Sequence, residues 1–96
     1  MKLVQIMVHF EYTEDIEEIL DQHGKLHFVR YPMMESRDIE GKHFGSQIFP
    51  GNVTVYQAQV EDENLDGLLY ELRAFREQKT AYQHLQALVL PIERAL

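Results

Sequence analysis

Imidazoles carry most of the reactive chemistry in this chain of 96 residues: His9, His23, His27, His43 and His84. An imidazole can ligate nickel, copper or zinc, and its charge changes near neutral pH. His43 has the most favourable setting, inside Gly41-Lys42-His43-Phe44-Gly45-Ser46-Gln47-Ile48-Phe49-Pro50-Gly51. Glycines at 41 and 45 permit positive φ and let the backbone approach a ligand closely. Gln47 adds a donor and an acceptor. Gly41, His43, Gly45 and Gln47 are therefore the candidate ligand site, and His43 is the candidate metal ligand, with Glu35 or Glu40 as carboxylate partners. His23 and His27 have the i, i+4 spacing of a helical zinc pair, but Gly24 interrupts the helix between them. Arg30 is placed either to meet a carboxylate ligand in a cleft or to pair with a neighbouring acid. Nucleophilic catalysis has little to build on. The chain has no cysteine, and Ser36 and Ser46 lie in no nucleophile-elbow pattern. A non-enzymatic binding protein is expected.

The elements that must position these groups follow from periodicity. Residues 2–10, KLVQIMVHF, alternate as a strand: Val4, Ile6, Val8 and Phe10 form an apolar side, and Leu3, Gln5, Met7 and His9 a mixed one. Thr13 is the expected N-cap of a helix over 14–23, with Ile16, Ile19, Leu20 and His23 on one face and Gly24 as its stop. A second strand is expected over 25–31, ended by Pro32. Residues 33–50 show no sustained period and form a long loop, a feature that is commonly functional. Strand character returns over 52–60. Asp62 or Asn64 is the expected cap of a second helix over 64–79, whose apolar stripe is Leu65, Leu68, Leu69, Leu72 and Phe75. Residues 85–90 read as a last strand closed by Pro91, and the tail after it as a final helical turn. The acidic groups Glu14-Asp15-Glu17-Glu18 and Glu61-Asp62-Glu63 stand at helix starts, where they complement the dipole.

Composition narrows the class further. A chain of this length, 45% apolar, has one modest core and a single domain over 1–96. Nine Lys and Arg against sixteen Asp and Glu give a net charge of −7, which argues against nucleic-acid binding. No apolar run is long enough for a membrane helix, and no leader peptide opens the chain, so a cytoplasmic location without membrane insertion is expected.

The order β-α-β, loop, β-α-β predicts an α+β, ferredoxin-like βαββαβ sandwich: an antiparallel sheet with two helices on one face and the first and third strands central. The opposite face then lacks a cover. Its expected members are Gln5, Met7 and His9, with Gln57 and Gln59, or Tyr56 and Ala58, from the third strand and His84 and Gln86 from the fourth. Uncharged amides mixed with methionine suit a sheet buried between identical subunits. Phe49, held beside the third strand by Pro50-Gly51, is expected at the same interface.

Several of these stretches resemble the nitrogen-regulatory P-II signalling proteins. Phe44-Gly45-Ser46-Gln47 is similar to the Phe-Gly-Arg-Gln at the base of that family's long T-loop, and HFGSQIFPGN to a stretch of smaller P-II-like proteins with shortened loops. The tail VLPIERAL is similar to the family's last strand and terminal segment. The resemblance implies a homotrimer whose sheets face a threefold axis. It also implies a small effector bound in intersubunit clefts, roofed by the 33–50 loop, and a target protein met by that loop. Phe44 joins the ligand-binding group on this basis. The family's phosphate-cradling Thr-Gly-x-x-Gly-Asp-Gly-Lys segment has no counterpart. Residues 77–84 read Glu-Gln-Lys-Thr-Ala-Tyr-Gln-His, without a glycine, so nucleotide binding in that manner is not expected. The identity of any cofactor is left open. The alternative reading is a trimer that binds copper, nickel or zinc through loop and sheet histidines.

Overall fold

The computed structural model describes residues 1–23, 27–35 and 52–96 of the chain. Its order is β1 (Lys2–His9), α1 (Thr13–Gln22), β2 (Phe28–Glu35), β3 (Asn52–Val60), α2 (Asp62–Arg76) and β4 (Gln86–Pro91). The four strands form one antiparallel sheet in the order β2-β3-β1-β4, so the first and third strands are central as the crossover rule requires. This is the expected ferredoxin-like α+β fold.

Alternation sets the register. Val4, Ile6 and Val8 of β1 lie opposite Ala58, Tyr56 and Thr54 of β3. All six are buried, and the five apolar or aromatic ones join Ile16, Leu20, Leu68 and Leu72 from the helices in one core. A one-residue slip would turn this whole set onto the opposite face, so the register is strongly specified.

Several boundaries differ from expectation. Pro32 does not end β2. The strand begins later, at Phe28, and runs on to Glu35, with the pairing to β3 shifted between Tyr31 and Met34. Proline is tolerated because β2 is an edge strand and the shift is a local irregularity of the ladder. The Pro32 carbonyl accepts a 2.9 Å bond from the buried Thr54 hydroxyl. Pro91, in contrast, closes the edge strand β4 as expected, being its last residue, opposite Lys2. Phe10 leaves the apolar side of β1, because a 3-10 turn over Phe10–Tyr12 leads into α1 and turns its ring outward. That turn also displaces Thr13 from the capping position into the helix. Neither Asp62 nor Asn64 caps α2, which starts at Asp62 after Glu61 and ends at Arg76. Asp62 instead binds the N-terminal ammonium and Lys2, at 3.1 and 3.2 Å. These two cations hold its carboxyl below its ordinary range. Residues 92–96 form no helical turn.

Candidate functional site

Register decides which side chains share the uncovered face of the sheet. Leu3, Gln5 and Met7 of β1 lie opposite Gln59, Gln57 and Val55 of β3 on one side, and opposite Leu90, Leu88 and Gln86 of β4 on the other. From β2, Val29 and Tyr31 face Gln57 and Val55. Tyr56 and Ala58, the other phase open to β3, belong to the core. At the centre of the uncovered face the Gln57 amide donates to the Gln5 side-chain oxygen at 3.1 Å, and the Tyr31 hydroxyl reaches the Gln57 oxygen at 3.3 Å. Aliphatic side chains surround this amide pair. Val29, Leu88 and Leu90 are 56%, 51% and 43% exposed in the single chain. Gln86 was expected here from the sequence, but Val29, Tyr31, Leu88 and Leu90 were not, because the phase of an edge strand is defined only once its partner strand is known.

His9 has the parity of this face but not its exposure. It is only 4% exposed. The 3-10 turn folds back over it, so Phe10, Tyr12 and His84 cover its ring at centroid distances of 4.7, 5.7 and 5.9 Å. Its Nδ1 accepts from the Glu11 backbone N–H at 3.3 Å and lies 3.7 Å from the Glu11 carboxylate. His9 is thus covered by its own chain, unlike Gln5 and Met7. His84 does not stand on the sheet. It sits in the turn before β4, where its Nε2 accepts the His9 backbone N–H at 2.7 Å. The two histidines do meet, but both ring nitrogens of His84 are engaged by backbone, the Nδ1 with the Ala81 carbonyl at 3.0 Å. Among the described residues no group of three His, Cys, Asp or Glu side chains is placed to hold a metal. His43, with Gly41, Phe44, Gly45, Gln47 and Phe49, lies outside the described residues.

Arg30 is on β2 opposite Tyr56, on the helix side of the sheet. Its guanidinium pairs with the Glu17 carboxylate of α1, the second of the two placements open to it from sequence. Glu17 also accepts the Tyr56 hydroxyl at 2.7 Å. That bond and then Arg30 hold the Glu17 carboxyl below its ordinary value, against the opposing effect of burial. Burial, followed by the Glu17 bond and charge, pushes the Tyr56 phenol well up. The trio ties α1 to β2 and β3.

The segment between α2 and β4 is a closed turn. Tyr82 is packed against Phe75 at 4.2 Å, nearly parallel, and edge-on to Tyr12 at 4.7 Å. The backbone N–H groups of Tyr82, Gln83 and Leu85 are spent on the carbonyls of Lys79, Thr80 and Tyr82. A phosphate nest needs successive N–H groups pointing outward. These point inward.

No protein-family model and no curated protein sequence matches the chain. Solved structures do match. CPII from Thiomonas intermedia K12, bound to ADP, AMP and acetate, superposes with a TM-score of 0.64 at 20% identity, over 95% of this chain and 84% of that chain. The same protein, described as a nitrogen regulatory PII-like protein and bound to ADP, AMP and bicarbonate, gives 0.59 at 14% identity, over 97% and 88%. A PII-like signalling protein from Thermus thermophilus gives 0.57 at 19% identity, over 92% and 82%. Likeness at these identities is a likeness of fold, and the fold of this chain is the P-II-like one.

Proposed function

We propose that this chain is a non-enzymatic regulatory module of the P-II-like kind, working in the cytoplasm as a homotrimer assembled through the uncovered face of its sheet. A small effector binds in the clefts between subunits, beneath the segment that follows β2, and that segment meets a target protein. The observation that carries this reading is the uncovered face itself. Val29, Tyr31, Leu88 and Leu90 are all exposed large apolar side chains, and among the described residues they, rather than lysines and glutamates, share this face with the paired Gln5–Gln57. A solvated sheet face is polar, whereas an apolar field with internally satisfied amides suits burial against identical copies. The P-II-like fold and the regulatory description of the CPII and Thermus proteins support the functional half.

The effector contacts are assigned to Gly41, His43, Phe44, Gly45 and Gln47, together with Arg30 of β2. Arg30 pairs with Glu17 through one nitrogen of a guanidinium that has five N–H donors. CPII is bound to ADP, AMP, acetate and bicarbonate, so these ligands, with nickel and zinc, are the probes to use. Light scattering should give three times the chain mass of 11.3 kDa. One probe should raise Tm in the parent but not in His43→Ala or Gln47→Ala, while both variants keep the parent's own Tm and mass. A monomeric mass at micromolar concentration refutes the assembly and the clefts together. Loss of folding in both variants makes the 41–51 segment scaffold instead.

A further inference from the structure

The turn ahead of β4 is fastened to the end of β1 by one ring. His84 Nε2 accepts the His9 backbone N–H at 2.7 Å, and His84 Nδ1 lies 3.0 Å from the Ala81 carbonyl oxygen. A nitrogen facing a donor must carry the lone pair, and a nitrogen facing a carbonyl must carry the proton. This pair of contacts therefore selects the neutral ring with its proton on Nδ1. Protonating the ring would place a second N–H at Nε2, head-on to the His9 N–H, so that two donors face each other and the bond is lost.

We propose that His84 is a proton-operated latch: neutral, it holds the 79–85 turn against β1, and protonated, it releases that turn. The latch joins residues 75 positions apart in sequence, at the point where the turn meets β1. Release would reach two places. The turn supplies Tyr82 and Leu85 to the core. It also runs directly into Gln86, which lies opposite Met7 on the uncovered face of the sheet. A proton taken up at His84 would thus loosen one edge of that face.

Titratable and charged neighbours come from every element around the ring. β1 supplies His9, and the 3-10 turn before α1 supplies Tyr12 and the Glu11 carboxylate, which stands 3.7 Å from His9 Nδ1. From the end of α2 comes Arg76, whose guanidinium donates to the Leu85 carbonyl at 3.3 Å. The turn itself contributes Tyr82 and Lys79, the ammonium being 5.6 Å from the Tyr82 ring centre. Burial lowers the His84 value from 6.5, and His9 lowers it further, against the Ala81 bond that favours the charged ring. A histidine lowered on folding contributes stability that is fully present above 6.5 and is lost as the pH falls through the folded-state value. The latch therefore opens on the acid side of neutrality.

The test reads the latch directly in the full chain. Imidazole nitrogen shifts of the 15N-labelled protein should show Nδ1 protonated and Nε2 unprotonated at pH 7.5. Between 6.5 and the folded-state value, the protection of the His9 amide, corrected for its intrinsic exchange rate, should fall by up to about tenfold per pH unit. His84→Gln keeps an acceptor oxygen but cannot titrate, so its His9 amide protection should be flat over the same range. A proton on Nε2 at pH 7.5, or flat protection in the parent, overturns the proposal. So does an unaltered acid-side fall in His84→Gln. If that variant fails to fold, the ring shifts and the exchange profile of the parent decide alone.

Discussion

Replacing Tyr56 with Phe removes one oxygen and leaves the ring in place against Phe28, at 5.4 Å and nearly perpendicular. The hydroxyl is buried, donates to the Glu17 carboxylate at 2.7 Å and lies 3.4 Å from the Thr13 carbonyl. A hydrogen bond to a charged acceptor contributes about 1.5–3 kcal/mol net. The Glu17 side chain is 31% exposed, so water satisfies part of what the phenol leaves, and the low end applies: ~1.5–2 kcal/mol lost. For a domain of this size that is a fall in Tm on the order of 10 °C. Removing the other partner should matter much less. Arg30 is half exposed, so its pairing with Glu17 is screened, and Arg30→Ala should cost well under half as much.

The pH dependence separates the two further. Glu17 is lowered on folding below 4.5, so its contribution is present above 4.5 and is lost as the pH falls through the folded value. In Tyr56→Phe the largest cause of that lowering is gone, and the difference from the parent should shrink towards pH 3. The assay is urea unfolding at matched protein concentration, because assembly makes apparent stability depend on concentration. A larger loss for Arg30→Ala than for Tyr56→Phe would refute the ranking of the buried bond above the exposed ion pair.

Met7→Glu puts a carboxylate among Val55, Gln86 and the other residues of the uncovered face, and an unpaired charge buried there is costly; light scattering should show the mass falling towards the single-chain 11.3 kDa. An unchanged trimer mass would mean that this face is not the interface. ADP and ATP should bind more weakly than ~100 μM, since the N–H groups of Tyr82, Gln83 and Leu85 are already spent. Calorimetry giving a Kd near 1 μM, about −8 kcal/mol, would show that a phosphate site exists elsewhere. Gly67→Ala adds a methyl 3.2 Å from His23 Cε1, at the end of α1. The half-exposed His23 ring can swing outward, and alanine in a helix interior gains up to ~1 kcal/mol over glycine, so Tm should rise by a few degrees in a thermal melt. A fall would mean that the helices depend on that close approach.

Local periodicity in the chain was enough to determine what it makes and in what order. Val4-Ile6-Val8 alternating with Leu3-Gln5-Met7, and the Leu65-Leu68-Leu69-Leu72-Phe75 stripe, each settle an element and its buried face without reference to anything else. Element order with the handedness of crossovers then left one sheet topology, the one observed. The loop signals at Gly41, His43, Gly45 and Gln47 are equally local, and they make this segment a candidate site from sequence alone. Tertiary structure decided whatever depends on a distant partner. Pro32 reads as a strand end because a missing N–H breaks a ladder, yet it lies within the edge strand β2, whereas Pro91 does close β4. His9 read as a face residue from its parity, but a ring 75 positions away and a one-turn helix bury it. Arg30 had two placements until α1 brought Glu17 to it, and Leu88 and Leu90 joined the uncovered face only when β4 took its register on β1. Period is written in neighbouring residues, which see the same few ångströms of chain. Partner choice is set by the packing of whole elements, and no spacing within the sequence encodes it.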